Sequence, residues 1–379
     1  MEKELARIIV NHSLKIKEND KVLITYEGNS KSLVKYLIDE INKVGGVPDY
    51  RYIDEDLDSY GNKYLNDNLI DVRTNKVKYE VENYDCFIKI YYCESDYYDK
   101  NTDPIWKRKY LASIKPYKDI QINNRRWVLL NYPSLVDAYK AKMEPEEFYN
   151  FALSCMTVDY EKMERDLKPL KELMEKTDKV RITGPGTDIS FSIKGMPAII
   201  CAGDRNIPDG ECFTAPIKNT VNGVISYNTP SPYRGNVYEN IVLTFKDGKI
   251  IDCSSNHPNE MNEIFNSDEG ARYIGEFSLG VNPQIKYPMG DILYDEKICG
   301  SLHFTPGTCY NECDNGNYSQ VHWDLVLIQR EDYGGGEIYF DDRLIRKDGL
   351  FVIDELKELN YKGDKEWKKV CFYYLQSLH

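Results

Sequence analysis

The sequence predicts an α/β N-terminal domain with a helical connector over residues 1–176 and an α+β, β-rich C-terminal domain over residues 177–379. Three observations lead to this prediction. The chain of 379 residues is longer than one hydrophobic core usually supports. Strands and helices alternate in the first half. From Val180 onward the pattern changes to period-two strands and tight turns.

The first domain is predicted from a β-α-β unit. Val22-Leu23-Ile24 is a short apolar strand, Gly28-Asn29-Ser30 is a turn, and the helix that follows stops at Gly45-Gly46. That turn lacks the glycine spacing that lets a backbone approach a pyrophosphate, so no dinucleotide site is expected. The apolar stretch Cys86–Ile90 is predicted to extend the same sheet.

Two helices, around Pro145 to Leu153 and Asp159 to Glu175, are predicted as the connector. The second carries a helical stripe of apolar residues, which we interpret as a surface for packing between domains. The stripe consists of Met163, Leu167, Leu170 and Met174.

The second domain is predicted from turn signals between period-two strands. Gly184-Pro185-Gly186 marks one tight turn, and Asp247-Gly248 and Asp348-Gly349 mark two hairpins. Together these signals favour an antiparallel, β-rich architecture.

Composition and charge argue against several kinds of partner and indicate where the protein is located. The net charge of -13 and the pI near 5.1 disfavour nucleic-acid and anionic-membrane partners, because binding to phosphates requires clustered Lys and Arg. No secretory signal and no apolar run of bilayer length is recognised, so we expect a cytoplasmic protein. Ten scattered cysteines indicate reduced thiols. Cys299, Cys309 and Cys313 form a local cluster, but their spacing favours buried apolar thiols. A structural zinc site at these three residues is the alternative.

Two of the five histidines, His303 and His322, lie in apolar, strand-like stretches of the second domain. In residues 321–325 the period of two puts His322 and Asp324 on one face, and in residues 301–304 it points His303 away from its apolar neighbours. Buried charges of this kind must be paired, protonated or bound to metal, and metal coordination satisfies all three together. Imidazole with carboxylate suits zinc, cobalt, manganese or iron.

Glu211 and Glu276 are further candidates, because glycine and apolar residues flank each of them. The alternative for both is an exposed glutamate at the start of a strand, since Glu is mostly a surface residue. A single histidine in a strand is likewise often a hydrogen-bonded core residue. The prediction depends on several such residues falling in one half of the chain.

An ordered series of motifs carries a family resemblance. The motifs are Pro208-Asp209-Gly210-Glu211, Phe213-Thr214-Ala215-Pro216, Asn222-Gly223, Gly275-Glu276, Asp295-Glu296-Lys297 before His303, Gly307, Tyr310 and His322-Trp323-Asp324. At these residues the chain resembles the aminopeptidase T family of metallopeptidases, and the similarity runs over nearly its whole length.

The resemblance implies a peptide hydrolase with two divalent metal ions per chain, which are zinc, cobalt, manganese or magnesium. The implied ligands are Glu211, Glu276, His303, His322 and Asp324, with Asp324 as the bridge. It also implies an N-terminal α/β domain, a C-terminal catalytic domain and a homodimer whose sites open toward an internal cavity.

Tyr310 matches the catalytic tyrosine of that family. A phenol at this position would donate a hydrogen bond to the tetrahedral oxyanion. The alternative is an aromatic residue packed beside Gly307. Glu296 is a candidate for binding the free amine of a peptide substrate.

Two other functions fit part of this pattern. His303, His322 and Asp324 also form the two-histidine, one-carboxylate set of a mononuclear non-haem iron ring-cleaving dioxygenase, with Glu211 and Glu276 as structural residues. A non-catalytic protein that binds peptide or metal is the second alternative. The retention of all five candidate ligands and Tyr310 favours the peptidase.

Overall fold

A computed structural model describes residues 1–94 and 103–361. Within these residues the fold is mixed α/β, with a five-stranded parallel sheet, an eight-stranded antiparallel sheet, a five-stranded antiparallel sheet and a two-stranded ribbon. The contacts divide the chain into two units. The first comprises Met1–Val158 and Gly203–Pro208, and the second comprises Asp159–Ala202 and the chain from Asp209 onward.

The first unit alternates strands and helices, as predicted. Its helices are α1 (Glu2–Ile8), α2 (Lys31–Lys43), α3 (Glu55–Asn62), α4 (Asp67–Asn83), α5 (Pro104–Asn124), α6 (Leu135–Lys140) and α7 (Pro145–Met156). A short π-helical segment, Ile9–Ser13, continues α1. Its strands are β1 (Lys21–Tyr26), β2 (Val47–Tyr52), β3 (Cys86–Tyr91) and β4 (Arg126–Asn131).

The sheet of the first unit is parallel, in the order β2-β1-β3-β4. The β-α-β unit of β1, α2 and β2 is confirmed, and Cys86–Tyr91 extends its sheet. A two-residue strand, Asn206–Ile207, adds to the edge beside β4. Helix α2 buries Leu33, Leu37 and Ile41 on one face, which is the pattern of an amphipathic helix that covers a sheet.

The second unit begins with helix α8 (Tyr160–Lys176) and is otherwise rich in strands. The two-residue strand Asn206–Ile207 of the first unit is β8 in chain order. The strands of the second unit are β5 (Lys179–Gly184), β6 (Thr187–Ser192), β7 (Ile199–Cys201), β9 (Glu211–Thr214), β10 (Asn222–Ser226), β11 (Ser231–Tyr233), β12 (Asn236–Tyr238), β13 (Val242–Lys246), β14 (Lys249–Ser254), β15 (Ile274–Gly280), β16 (Ser301–Pro306), β17 (Val326–Ile328), β18 (Glu337–Phe340), β19 (Arg343–Lys347) and β20 (Leu350–Phe351). Helices α9 (Pro258–Phe265) and α10 (Ile292–Asp295) and four short 3₁₀ turns complete the described part. The turns are Gly270–Arg272, Asn311–Cys313, Glu331–Tyr333 and Asp354–Leu359.

The division by contacts differs in two places from the predicted boundary after residue 176. Helix α8 belongs to the second unit, where it packs against β7 and β9, so its apolar stripe serves the core of its own unit. Residues 203–208 return to the first unit because β8 pairs with β4. Two-residue strands carry no periodicity, so this excursion has no sequence signal.

The predicted turns of the second unit are confirmed. Gly184-Pro185-Gly186 turns the chain from β5 into β6. Lys246 pairs with Lys249 across Asp247-Gly248, and Lys347 pairs with Leu350 across Asp348-Gly349. Both Asp-Gly pairs have positive φ at each residue, which matches the right-handed twist of a two-residue hairpin.

The smaller antiparallel sheet, in the order β17-β16-β15-β9-β7, forms the interior of the second unit. Every residue of β15 and β16 is buried. Phe191 of β6 contacts Phe277 and Phe304 of these strands, with ring centroids 5.1 and 4.9 Å apart. No helix of the described residues combines the length and apolar character needed to cross a membrane.

Candidate metal centre

Three strands and one extended segment bring the predicted ligands together. Glu211 opens β9, Glu276 lies within β15 and His303 lies within β16. The registers place Glu211 opposite Gly280 and His303 opposite Ser278. Since Glu276, Ser278 and Gly280 share one face of β15, both neighbouring strands direct their polar side chains to that face.

The segment that carries His322 and Asp324 is not the strand that was predicted. Only His322 forms an isolated bridge, to Gly307, and regular pairing resumes at Val326. The alternation nevertheless holds, because Trp323 points the other way, into the core, where it stacks on Tyr233 with ring centroids 4.6 Å apart. Packing of this indole therefore holds the two flanking side chains toward the site.

The first ligand group consists of Glu211, Glu276 and His303. His303 Nε2 lies 3.0 Å from Glu276 Oε1 and 3.2 Å from Glu211 Oε2. All three side chains are at most 6% exposed. The alternative of exposed glutamates is therefore wrong for this structure.

The second ligand group consists of Glu276, His322 and Asp324. His322 Nε2 lies 3.4 Å from Asp324 Oδ1 and 3.7 Å from Glu276 Oε2. This nitrogen is buried and makes no hydrogen bond. A buried imidazole nitrogen without a hydrogen-bond partner, beside two carboxylates, suits a metal ion.

Both histidines are oriented through the other ring nitrogen. His303 Nδ1 lies 3.2 Å from the backbone carbonyl of Glu296, and His322 Nδ1 lies 3.0 Å from that of Thr308. Donation of Nδ1–H to a carbonyl fixes the tautomer that leaves Nε2 as the ligand atom, an arrangement typical of metal-binding histidines. Thr305 Oγ1 donates to Asp324 Oδ1 at 2.6 Å and holds that carboxylate in the same way.

Glu276 belongs to both groups, and the ligand atoms within each group lie within 4.8 Å of one another. Its Oε1 faces His303 and its Oε2 faces His322. This division of oxygens is what a carboxylate that bridges two cations requires. Asp324 also takes part in a further group, with Glu296 and His303.

A family model described as thermophilic metalloprotease (M29) matches residues 2–337. The chain belongs to this family.

The curated relatives of this M29 family member are aminopeptidases. Aminopeptidase AmpS of Bacillus subtilis is 41% identical over 126 residues, which cover 32% of this chain and 30% of that protein. Aminopeptidase 2 of Geobacillus stearothermophilus is 32% identical over 164 residues, 38% of this chain and 37% of that protein. The matched stretches of the curated relatives cover 30% to 42% of their lengths.

A solved structure shares the fold. Wild-type AmpT from Thermus thermophilus superimposes with a TM-score of 0.77 at 18% identity, over 93% of this chain and 99% of that chain. The mixed α/β architecture of the M29 chain, with parallel and antiparallel sheets, is therefore that of a known structure. The comparisons give no support to the ring-cleaving dioxygenase.

A buried lysine of this M29 chain, Lys297, adjoins the first ligand group. Its ammonium donates to Glu211 Oε1 and lies 2.7 Å from Glu296 Oε1 and 3.5 Å from Asp209 Oδ1, with the side chain 1% exposed. The charges of these carboxylates outweigh burial and hold the pKa of Lys297 well above its usual value. The lysine is therefore a permanent counter-charge built into the site.

Sequence reasoning did not assign a role to Lys297, Ser278 or Thr305. Ser278 Oγ donates to Glu211 Oε2 at 2.9 Å, so both oxygens of that carboxylate are held by this chain. A signal for Lys297 was present, because it belongs to the motif Asp295-Glu296-Lys297 that carries part of the family resemblance. Serine and threonine in buried strands carry no comparable signal.

Opposite charges shift the titration of the two histidines. Burial lowers the pKa of His303, but Glu211 and Glu276 outweigh it and raise the value to about 9. Burial likewise opposes the charged form of His322, and Asp324 with Glu276 raises its pKa to about 10. Without metal, both imidazoles are therefore protonated on both ring nitrogens at neutral pH. A metal ion must displace the proton on the ligand nitrogen.

The pKa shifts of the three ligand carboxylates differ in direction, because their charged partners differ. Burial raises the pKa of Glu211, but Lys297 and His303 bring it below its usual value. Burial also raises the pKa of Asp324, but the charge of His322 outweighs it and holds the pKa well below the normal range. For Glu276 burial prevails and its pKa is raised.

Glu296 and Tyr310 lie at the edge of the ligand cluster. Burial raises the pKa of Glu296 to about 8, although its carboxylate contacts Lys297. Tyr310 is 45% exposed as a residue, and its ring lies 5.0 Å from that of His322 and 5.4 Å from that of Phe213. Desolvation, together with the negative charges of Glu276 and other carboxylates, holds the pKa of Tyr310 well above its usual value, so the phenol keeps its proton.

Cys299, Cys309 and Cys313 belong to none of the candidate metal groups of the described residues, whereas Cys201 forms one with Asp209 and Glu211. Cys309 Sγ donates to Asp314 Oδ1 at 3.3 Å, and Cys313 packs in an apolar cluster with Phe213 and Ala215. Cys299 is buried, and burial raises its pKa to about 11. These contacts agree with the interpretation of Cys299, Cys309 and Cys313 as buried thiols.

Proposed function

We propose that this M29 family member is a metal-dependent aminopeptidase that removes N-terminal residues from peptides with two divalent cations. The observation that carries the proposal is the pair of three-ligand groups that share Glu276. Membership of a metalloprotease family and the aminopeptidase names of the curated relatives support it.

We propose one cation for each of the two ligand groups that share Glu276. One would be held by Glu211, Glu276 and His303, and the other by Glu276, His322 and Asp324. Glu276, with one oxygen toward each histidine, takes the bridging role that the family resemblance gave to Asp324. The imidazole and carboxylate ligands fit zinc, cobalt or manganese better than magnesium, which prefers oxygen ligands alone.

Two cations held by these groups would polarise the scissile carbonyl and lower the pKa of a water molecule to near neutrality. The residues of this chain supply the remaining interactions. Tyr310 keeps its proton and its ring lies 5.0 Å from that of His322, so its hydroxyl can donate to the oxyanion that develops from the carbonyl. Lys297 and Ser278 hold Glu211 in its liganding orientation.

Glu296 is proposed to bind the free amine of the peptide. It lies outside the two principal groups but beside them. Its pKa of about 8 leaves it largely protonated at neutral pH, and an approaching ammonium favours its anionic form. The Glu296→Gln variant should raise KM for aminoacyl substrates more than it lowers kcat. A fall in kcat at unchanged KM would instead identify Glu296 as a proton acceptor.

The second unit is proposed as the catalytic part, since all candidate ligands belong to it. A homodimer and a cytoplasmic location remain predictions from the family resemblance and the sequence. Light scattering on the purified chain tests the dimer. Fractionation of the source cells tests the location.

Metal analysis combined with one variant tests the proposal. The purified chain, loaded with zinc, cobalt or manganese, should hold about two ions and hydrolyse aminoacyl amides without oxygen. Glu276→Gln should lose metal affinity by ~10²-fold or more, because both groups depend on it. The matched control, Glu260→Gln on the exposed surface of α9, should keep both metals and activity.

The proposal fails if full activity persists in a chelated sample. It also fails if Glu276→Gln hydrolyses peptides as fast as the unmodified chain.

A further inference from the structure

The first unit contains a cavity of about 350 Å³ between its parallel sheet and helices α4 and α5. Its volume falls in the lower part of the range of small-molecule pockets, roughly 300–1,000 Å³. All residues that line it belong to the first unit, whereas all candidate metal ligands belong to the second. Neither the family comparison nor the proposed peptidase chemistry assigns it a role.

A row of three polar side chains, followed by one leucine, crosses the sheet at this cavity. Thr25 of β1 pairs with Arg51 of β2 on one side and with Lys89 of β3 on the other, and Lys89 pairs with Leu129 of β4. All four line the cavity. Since neighbouring strands lie about 4.8 Å apart, the two cationic residues stand roughly 10 Å apart across Thr25.

This row departs from the usual composition of such a sheet. A parallel sheet covered by helices normally has apolar residues on both faces, because its strands are buried. Lys89 even interrupts the otherwise apolar strand Cys86–Tyr91. Two cations and a hydroxyl depart from that composition, although Arg51 lies on the edge strand β2 and its side chain is 31% exposed.

The floor of the cavity, two residues earlier along the strands, is apolar. Leu23 of β1 and Phe87 of β3 form a buried cluster with Val81 of helix α4, and Trp127 packs against this cluster. The cavity thus has an aromatic and aliphatic floor below a cationic row. Such a site matches a ligand that has an apolar body and a negatively charged head.

The charge of the lining points to the same ligand class. Arg51, Lys89 and Lys118 line the cavity, against the single carboxylate of Glu80 among the lining residues, in a chain whose net charge is -13. Arg51 is paired with Glu80, and Lys89 lies 2.6 Å from Glu27, a residue outside the lining.

Lys118 differs from the other two cations. Its ammonium donates to Gln121 Oε1 at 2.8 Å, which is a neutral partner. Desolvation and the like charges of Lys89 and Arg51 lower its pKa. An anion in the cavity would relieve this repulsion.

The position of the row also agrees with the topology. In the order β2-β1-β3-β4 the chain places successive strands on opposite sides of β1, so a switch point lies between β1 and β3. Open α/β sheets bind ligands at the carboxyl ends of the strands at this point. Thr25 and Lys89 lie in the last three residues of β1 and β3.

We propose that this cavity is a binding site for a small organic anion with an apolar or aromatic body and a carboxylate or phosphate head. The body would lie on Phe87 and Trp127. The head would lie on the row, between Arg51 and Lys89, with Lys118 above it.

The test uses the full chain, with 1-naphthoate as the probe and 1-naphthalenemethanol as its uncharged counterpart. Titration calorimetry at low ionic strength should show one molecule of naphthoate per chain, with a Kd of about 1 mM or tighter from the size of the probe. The alcohol should bind at least tenfold more weakly, since it lacks a charge-assisted interaction.

Lys118→Met tests the location, because it removes a charge without stranding a carboxylate. It should weaken naphthoate binding roughly tenfold and leave the alcohol unchanged. Lys115→Met, on the same helix but 71% exposed and paired with Asp119, is the matched control and should change neither. Leu129→Trp, which fills the cavity, should abolish binding of both probes.

Equal affinity for naphthoate and the alcohol would overturn the proposal, as would the absence of saturable binding. Naphthoate binding that is insensitive to both Lys118→Met and Leu129→Trp would also overturn it, because the probe would then occupy another site, such as the metal centre. These outcomes are independent of peptidase activity.

Discussion

Replacement of Lys297 by methionine removes one ammonium from the interior of the second unit and little else. Methionine has a similar length and volume, so the substitution leaves no large cavity. Three carboxylates then lose the counter-charge that each contacts, namely those of Glu211, Glu296 and Asp209. At 1% exposure, water cannot replace the ammonium without local opening of the structure.

The expected loss of stability follows from this burial. Breaking a buried ion pair by removal of one partner typically costs about 3–5 kcal/mol. The metal-free Lys297→Met variant should therefore unfold at a Tm roughly 6–20 °C lower, for a unit of this size. Part of the loss should return when divalent cations are added, because they neutralise the same carboxylates.

The loss should also depend on pH. The pKa of Glu211 is lowered in the folded chain, so the ion pair stabilises the fold above the unfolded value of 4.5 and this contribution is lost as the pH falls through the lower folded value. The difference between Lys297→Met and the unmodified chain should therefore shrink below a pH of about 4.

Urea unfolding in the presence of a chelator, followed by tryptophan fluorescence, measures these differences. Lys176→Met is the control, since Lys176 is 75% exposed and lies 3.7 Å from Glu172. An exposed pair of this kind contributes about 0–1 kcal/mol. If Lys297→Met at neutral pH is no less stable than the control, Lys297 does not compensate the buried carboxylates and the reasoning is refuted.

Three further predictions concern the metal centre. Tyr310→Phe should lower kcat by ~10²–10³ with little change in KM or metal content, as steady-state kinetics and metal analysis would show; an unchanged kcat would remove the phenol from the reaction. Metal loading near neutral pH should release at least two protons, because the pKa values of His303 and His322 stand at about 9 and about 10 without metal, and metal affinity should fall as the pH is lowered. Calorimetry in buffers of different ionisation enthalpy measures this release, and no buffer dependence would contradict it. Thr305→Val, which removes the hydroxyl that donates to Asp324, should weaken metal binding by ~10–100-fold in competition with a chelator, and full retention of affinity would show that Asp324 needs no such support.

Local patterns predicted much of the fold. The hairpins at Asp247-Gly248 and Asp348-Gly349 were predictable because positive φ at two successive residues restricts the residue types at a two-residue turn. The β-α-β unit was predictable because the short apolar run Val22-Leu23-Ile24 is followed by a turn and then by apolar residues at helical spacing. Helix α8 was predicted in extent but not in the unit it joins, since its apolar stripe indicates burial and not the identity of the partner.

The candidate site was predicted in composition but not in arrangement. His303 was recognisable because a polar side chain alternates with apolar ones in a strand. The shared position of Glu276 depends on the pairing of β15 with β9 and β16, which joins residues 211, 276 and 303 from distant parts of the chain. No local pattern contains that register.

The sequence by itself determined the residue types of the centre, the turns, and the alternation that directs His322 and Asp324 to one side of Trp323. These properties depend on neighbours within a few residues along the chain. Only the tertiary structure decided that Glu276 serves both ligand groups, that Lys297 neutralises Glu211, and that Arg51 and Lys89 flank Thr25 across a cavity. Each of these depends on burial and strand register between distant segments, because a charge is stabilised or left uncompensated by what lies nearest to it in space.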